Sequence, residues 1–363
     1  MDFTRLRIGF LAGSLGQGGS ERQLYYILST LRNEGCKPYL FSLTQNEFWE
    51  TRIRSLGIPI IWIGKNGLPL ARLLYFIHEL RGLNLDIVQS HHFFTNPYTA
   101  FAARALGMLD VGAIRNDVIS EIRANGPILG PICLKFPRVL AANSKNGIRN
   151  AINEGVAISR LRLLPNIIDC EMFNILEDKK SAEVVVLLTI GRMDPQKNQQ
   201  LFLQAIARIG QKNTKQVKGR IAGDGPCRKS LEKSRDDLGL SEDQLEFLGL
   251  VVDPVSLYQT ADVFVLTSNW EGTPNVIMEA MACGLAVVAT RVGGVADLIE
   301  DGKTGFLVDP GNLEMLVESL MDLIEKPNLR SSIGGAARQH IKKNYNLATL
   351  PETLSNFYTS LGS

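Results

Sequence analysis

Apolar and polar residues follow two different rhythms along this chain of 363 residues. Short continuous apolar runs, rich in β-branched residues, read as buried strands. "LRIGFLA", "KPYLFSLT", "LDIVQSHH" and "PRVLAANS" are such runs in the first half. "EVVVLLTIGR", "KGRIAGDGP", "LEFLGLV", "ADVFVLTS", "LAVVAT" and "GFLVDP" follow in the second. Between them the spacing is helical. Leu24, Ile27, Leu28 and Leu31 recur on one helix face in "SERQLYYILSTLRNEG", where Ser20 and Gln23 make a capping-box pattern and Gly35 a stop. "PYTAFAARALG", "NQQLFLQAIARIG" and "CRKSLEKSRDDLG" read as further helices. Strands alternating with helices predict parallel, doubly wound sheets, and the plan occurs twice.

The stretch from Leu163 to Glu183 holds no sustained periodicity and ends polar. The expected division is a first domain over 1–165, a linker over 166–182 and a second domain over 183–345. The remaining 346–363 is read as a helix packing back on the first domain. The expected fold class is α/β, with two doubly wound, Rossmann-like domains facing a cleft that holds the ligand.

Composition changes this picture little. A hydrophobic fraction of 45% and a charged fraction of 21% are ordinary for a globular chain. No apolar run reaches the roughly 18 residues that span a bilayer, and "MDFTRLRIGFLAGS" enters a strand with no secretory signal. Five scattered cysteines without C-x-x-C spacing imply reduced thiols, a cytosolic setting and no metal site. Charge is informative. Residues 1–165 carry 19 Lys and Arg against 11 Asp and Glu, and the remainder carries 20 against 26. The first half is basic and the second acidic.

Candidate chemistry gathers after the strands. In "WEGTPNVIMEAMACG", Thr273 is read as an N-cap, Pro274 as the first helical residue and Gly284 as the stop. Backbone N–H groups around Gly272, Thr273, Asn275 and Val276 would then form an anion site at the helix start. Glu271 before the helix and Glu279 inside it would repel a phosphate, so hydroxyl groups are their natural ligands. A nucleotide sugar has phosphates in the middle and a polyol at each end. Arg192 and Lys197 in "IGRMDPQKN" suit a diphosphate. "AGDGP", with Gly223, is a glycine-rich turn near the same edge. Gly18 and Gly19 in "GSLGQGGSERQ" let backbone approach a ligand, yet the loop matches neither the dinucleotide fingerprint nor the P-loop. In "QSHHFF" only His91 or His92 can face the ligand, because neighbouring side chains alternate. A zinc reading lacks further ligands, and no D-x-D occurs for a metal-held diphosphate.

In chain order, "GGSERQL", "HHFF", "AANS", "IGRMDPQKN", "AGDGP", "LGLVVD", "WEGTPNVIMEAMACG" and "VGGVADLIEDGKTGFLV" resemble the retaining glycosyltransferases of family 4, of the GT-B fold (glycosyl transferases group 1). The resemblance covers nearly the whole chain. It implies that Glu279 holds the ribose hydroxyls and Glu271 those of the donor sugar. It implies that Arg192 and Lys197 clamp the diphosphate, helped by the backbone N–H groups of Gly19 and of the stretch from Thr273 to Asn275. The loop around Leu250 would contact the base, and His91 the donor sugar. One departure is Ile167, where the family usually has Gly before the hinge Asp.

The expected function is transfer of a sugar, with retention, from a nucleotide donor to an acceptor hydroxyl. UDP is favoured by family frequency, and the acceptor is expected to be a lipid-linked saccharide in cell-surface polysaccharide synthesis. No metal or other cofactor is expected, and no nucleic acid. Closure about Pro165–Asp169 would exclude water. The alternatives are a nucleotide-sugar epimerase of similar fold, or a transferase acting on a soluble acceptor. The basic half sets Arg52, Arg54, Lys65, Arg72 and Arg81 beside "IPIIWIG" and "LPLARLLYFI", and Arg123, Lys135 and Arg138 beside "PILGPICLKFP". Such a surface suits an anionic membrane and a peripheral place on its cytoplasmic face. The competing reading is that these apolar residues are core.

Overall fold

A computed structural model describes residues 1–65, 67–176, 184–212 and 216–362. The chain divides into two units, Met1–Ile167 with Leu347–Ser363, and Ile168–Asn346. Most of the polar half of the linker expected over 166–182 lies outside the described residues.

The first unit holds seven parallel strands: β1 (Ile8–Ala12), β2 (Tyr39–Ser42), β3 (Ile60–Trp62), β4 (Ile87–Ser90), β5 (Leu109–Ile114), β6 (Val139–Ala142) and β7 (Leu161–Leu163). Their order is β3-β2-β1-β4-β5-β6-β7. The second unit holds six: β8 (Val185–Ile190), β9 (Val217–Ala222), β10 (Leu245–Gly249), β11 (Val263–Leu266), β12 (Ala286–Thr290) and β13 (Phe306–Val308). Their order is β10-β9-β8-β11-β12-β13. Central strands such as β1, β11 and β12 are buried throughout, as sheets covered by helices on both faces require. The two sheets are the doubly wound, Rossmann-like pair that the alternating pattern predicted. In each, the order reverses between two adjacent strands, β1 and β4 or β8 and β11.

Several local expectations are corrected. "IPIIWIG" carries β3, a half-buried edge strand between the buried Ile58 and Ile63, so this stretch packs on the core. The first helix runs Gly19–Asn33 with Gly18 as N-cap, so Ser20 and Gln23 form no capping box. Gln23 instead turns inward. Its Oε1 accepts from Ile167 N at 2.8 Å and its Nε2 donates to Ile167 O at 2.7 Å. That pairing satisfies the backbone of a buried residue. Ile167 is not among the described residues with positive φ, so the position needs no glycine. The helix in the glutamate motif runs Asn275–Ala282, with extended Pro274 as N-cap in place of Thr273.

The terminal helix Leu350–Thr359 belongs to the first unit. Leu350, Leu354, Phe357 and Tyr358 enter the core that also holds Ile8, Phe10 and Leu24. Tyr358 Oη donates to Gln89 Oε1 at 2.9 Å.

Candidate functional site

In the second unit the reversal between β8 and β11 leaves a gap beyond their carboxyl ends, and the loops around it interlock. Gly191–Asn198 follows β8. Its Gly191 N donates to Ala222 O at 3.0 Å and its Met193 N to Asp224 O at 2.9 Å, which joins it to the turn after β9. Gly223 in that turn has φ +128°, and a Cβ there would stand 2.1 Å from Gly191 O. On the other side, Thr267 Oγ1 donates to Lys197 O and Asn198 O at 3.1 and 2.9 Å. Asn269 N donates to Gln196 O at 2.7 Å. The loop after β12 closes from above. Gly293 has φ +51°, a Cβ on it would fall 1.7 Å from Glu271 O, and Gly294 N donates to Gly272 O at 2.7 Å.

This framework brings Lys197 and Glu271 together. Lys197 Nζ lies 2.5 Å from Glu271 Oε1, with side-chain exposures of 20% and 6%. Ser268 Oγ donates to the same oxygen at 2.7 Å, and Gln196 Nε2 reaches Oε2 at 3.5 Å. Two residues assigned separate tasks are therefore one ion pair. Arg192, in the same loop, is exposed, and its closest carboxylate is Asp194 at 4.0 Å. Glu279 is as buried as Glu271, and its Oε2 accepts from Tyr258 Oη at 2.7 Å. Neither glutamate is a solvated surface group. The helix start at Asn275 has no side-chain cap, and Pro274 brings no N–H of its own. Leu250 is 76% exposed on the loop after β10. The sequence reading missed Ser268, Gln196, Tyr258 and Gly293. Only Gly293 carried a signal, as the second glycine of "VGGV" after a strand.

In the first unit the loops after β1 and β4 meet in the same way. Gly13 N donates to His92 Nδ1 at 2.9 Å, so the His92 proton is on Nε2, 3.3 Å from Glu21 Oε1. Ser14 Oγ donates to that oxygen at 2.7 Å. Burial pushes the Glu21 carboxyl up, but the bonds from His92 and Ser14 outweigh it and hold the group below its usual value. Glu21 folds over Gly18, where a Cβ would stand 2.2 Å from Oε2. Gly19 opens the helix. His91 is fully buried, and its Nε2 lies 2.7 Å from Ser20 O and 3.1 Å from Ser20 Oγ. A carbonyl only accepts, so the proton is on Nε2. Nδ1 is buried without a hydrogen-bond partner among the described residues. Burial and then the nearby charge of Arg115 hold the His91 imidazole well below 6.5 and therefore neutral. Among the described residues no three His, Cys, Asp or Glu side chains group as metal ligands.

Comparison with known proteins supplies the family. Residues 17–172 match "Glycosyltransferase Family 4" and residues 174–340 match "Glycosyl transferases group 1". A Campylobacter jejuni α-1,4-N-acetyl-D-galactosaminyltransferase, named for a diNAcBac-PP-undecaprenol-linked substrate, is 27% identical over 93% of this chain and 94% of its own length. A second C. jejuni enzyme, named for N-acetylgalactosamine-N,N'-diacetylbacillosaminyl-diphospho-undecaprenol, is 26% identical over 93% and 95%. Among solved structures, Anabaena HepE in complex with UDP and glucose superposes with a TM-score of 0.86 at 21% identity, covering 98% of this chain and 100% of that one.

The neutral, buried His91 generates a pH prediction. Below about 6.5 the unfolded imidazole takes a proton that the folded one refuses, so stability falls as pH drops through that value. Each pH unit below it costs up to about 1.4 kcal/mol. Denaturant unfolding at pH 7.5 and 5.5 should show this loss in the parent. His91→Gln, which cannot titrate, should show a smaller one.

Proposed function

The chain belongs to the group 1, family 4 glycosyltransferases of the GT-B type, and from this premise we propose how it handles its donor and acceptor. The donor is a nucleoside-diphosphate sugar, with UDP favoured, and the sugar is transferred with retention. The observation that carries this is the Lys197–Glu271 ion pair at the reversal between β8 and β11. In a nucleotide sugar the outer phosphate and the sugar are joined by the bond that breaks. A cation and a carboxylate in contact match that junction, the phosphate on Lys197 Nζ and a sugar hydroxyl on Glu271. The pairing also explains a carboxylate beside a phosphate site, because Lys197 offsets its charge.

As the glycosidic bond breaks, negative charge grows on the diphosphate. Lys197, the exposed Arg192 and the backbone at the start of Asn275–Ala282 stabilise that charge. These groups supply the positive charge, so the reading assigns no metal or other cofactor. Glu279 holds the ribose hydroxyls, and the loop bearing Leu250 holds the base. The acceptor hydroxyl attacks from the face the diphosphate leaves, and a phosphate oxygen takes its proton. His91 remains neutral and offers Nδ1 as an acceptor to a sugar hydroxyl.

The acceptor is a lipid-linked saccharide, in keeping with the undecaprenyl substrates in the names of both C. jejuni relatives. Surface chemistry of the first unit supports this. The helices Pro69–Arg81, Asn96–Leu106 and Gly126–Lys135 pack side by side in one layer. Leu68, Leu70, Leu74, Ile128 and Leu129 are each more than half exposed on or beside that layer. Lys65, Arg72 and Arg123 accompany them. The apolar stretches thus divide: β3 packs on the core, whereas these leucines and isoleucines face out. Among the described residues no helix is long and apolar enough to cross a membrane. The layer instead suits adsorption to the cytoplasmic face of an anionic bilayer, where each Lys or Arg contributes about 1 kcal/mol.

Nucleotide sugars offered with a polyprenyl-diphosphate saccharide should yield an elongated lipid-linked product of unchanged anomeric configuration. Product from donor alone would replace transfer by epimerisation. Replacing Arg192 or Lys197 by Ala should cut turnover about 10²–10³-fold. The two variants should melt differently. Arg192→Ala should melt with the parent, whereas Lys197→Ala leaves Glu271 buried and uncompensated, costing about 3 kcal/mol. Near-parental turnover in both would end the diphosphate assignment. Co-sedimentation should be strong with anionic liposomes at low salt, weak with neutral ones, and lost in Leu70→Asp/Ile128→Asp.

A further inference from the structure

Tyr258 lies fully buried on the short helix Val255–Thr260, with its ring centroid 6.0 Å from that of Phe173 and 5.7 Å from that of Phe264. The ring fills the core. The hydroxyl does something else, because it donates to Glu279 Oε2 at 2.7 Å. Satisfying a buried phenol does not require a carboxylate, which is among the costliest groups to remove from water. A carbonyl would serve at lower cost. The pair is better explained from the other side, with the carboxylate needed by a ligand and the phenol fixing where it points. Tyr258 occupies one of about four acceptor sites on the carboxylate and selects its rotamer. The same helix continues directly from the loop carrying Leu250 and Val252, exposed by 76% and 72%. That loop begins at Gly249, whose carbonyl accepts from Gly223 N at 2.7 Å.

We propose that Tyr258 is a positioning residue for nucleoside recognition, holding Glu279 toward the ribose and tying it to the loop that meets the base. The inference rests on the reading of Glu279 as the ribose ligand. Base and ribose are then recognised by one connected piece of chain, Gly249–Tyr258 with Glu279, and the diphosphate by another.

The test uses the full chain and calorimetric titration with UDP and 2′-deoxy-UDP, and with GDP and 2′-deoxy-GDP as a second pair. The parent should prefer the ribo form of its nucleotide by about tenfold, the scale of one or two charged hydrogen bonds. Tyr258→Phe keeps the ring and should melt close to the parent. It should weaken the ribo form and leave the deoxy form within about twofold, so that the preference collapses as it does in Glu279→Gln. Added to Glu279→Gln, it should cost nothing further, as for two residues acting as one unit. Equal weakening of both forms would show a packing role and overturn the inference. So would a preference that survives in Tyr258→Phe while Glu279→Gln abolishes it. If the parent prefers neither form, or neither pair binds, the ribose assignment of Glu279 fails and takes the inference with it. Should Tyr258→Phe alone not fold, the double variant decides: affinity below that of Glu279→Gln counts against the proposal, and equal affinity for it.

Discussion

In a parallel sheet, successive crossovers of one hand carry their helices to one face while the strand order runs one way, and to the other face once it reverses. Between the two strands at the reversal no helix covers the carboxyl ends. That constraint operates twice here, at β1 and β4 and at β8 and β11. The Glu21–His92 and Lys197–Glu271 clusters each stand at one of these two places. The glycines follow from the same crowding. Gly223 and Gly293 lie where two loops meet backbone to backbone, with no room for a Cβ.

Energetics then sort the charged groups. A buried ion pair is weak evidence for stability, because desolvation cancels most of the attraction. Lys197 and Glu271 are nevertheless held by three further residues, Ser268 and Gln196 on the carboxylate and Thr267 on the Lys197 loop. So much local structure around a pair of little net worth is what the proposed site would require, its ligand carrying both a negative oxygen and a hydroxyl. A preorganised pair need not reorganise when charge develops on the leaving group. Arg192 differs. It is exposed, and a cation held by no buried partner adds charge without fixing position.

The second sheet was readable because β8, β11, β12 and β13 are nearly continuous apolar runs. In the first sheet, β5 was obscured by Asp110 and Gly112 inside "LDVGAI", and both are buried. β3 and β7 are three residues each, too short for periodicity to show. The motif loops placed Arg192, Lys197, Glu271 and Glu279 correctly after or beyond strands. Their partners were hidden for a physical reason: Lys197 and Glu271 are 74 residues apart, Tyr258 and Glu279 are 21 apart, and only tertiary packing joins them. Gln23 shows the converse. Its local spacing fits a cap, yet the buried backbone of Ile167 competes for the amide and wins.

The two units handle charge in opposite ways at their reversals. In the first, Glu21 is absorbed by His92 and Ser14, and His91 is kept neutral by burial. Lys65, Arg72 and Arg123 instead accompany the outward-facing leucines and isoleucines of the helical layer. In the second, Arg192, Lys197, Glu271 and Glu279 all stand at or beside the strand ends. A leaving group that gains charge is better served by fixed charges than by neutral hydrogen bonds, since charge-assisted bonds are roughly twice as strong. A saccharide hydroxyl needs only neutral partners, and a lipid headgroup needs cations at an outer surface.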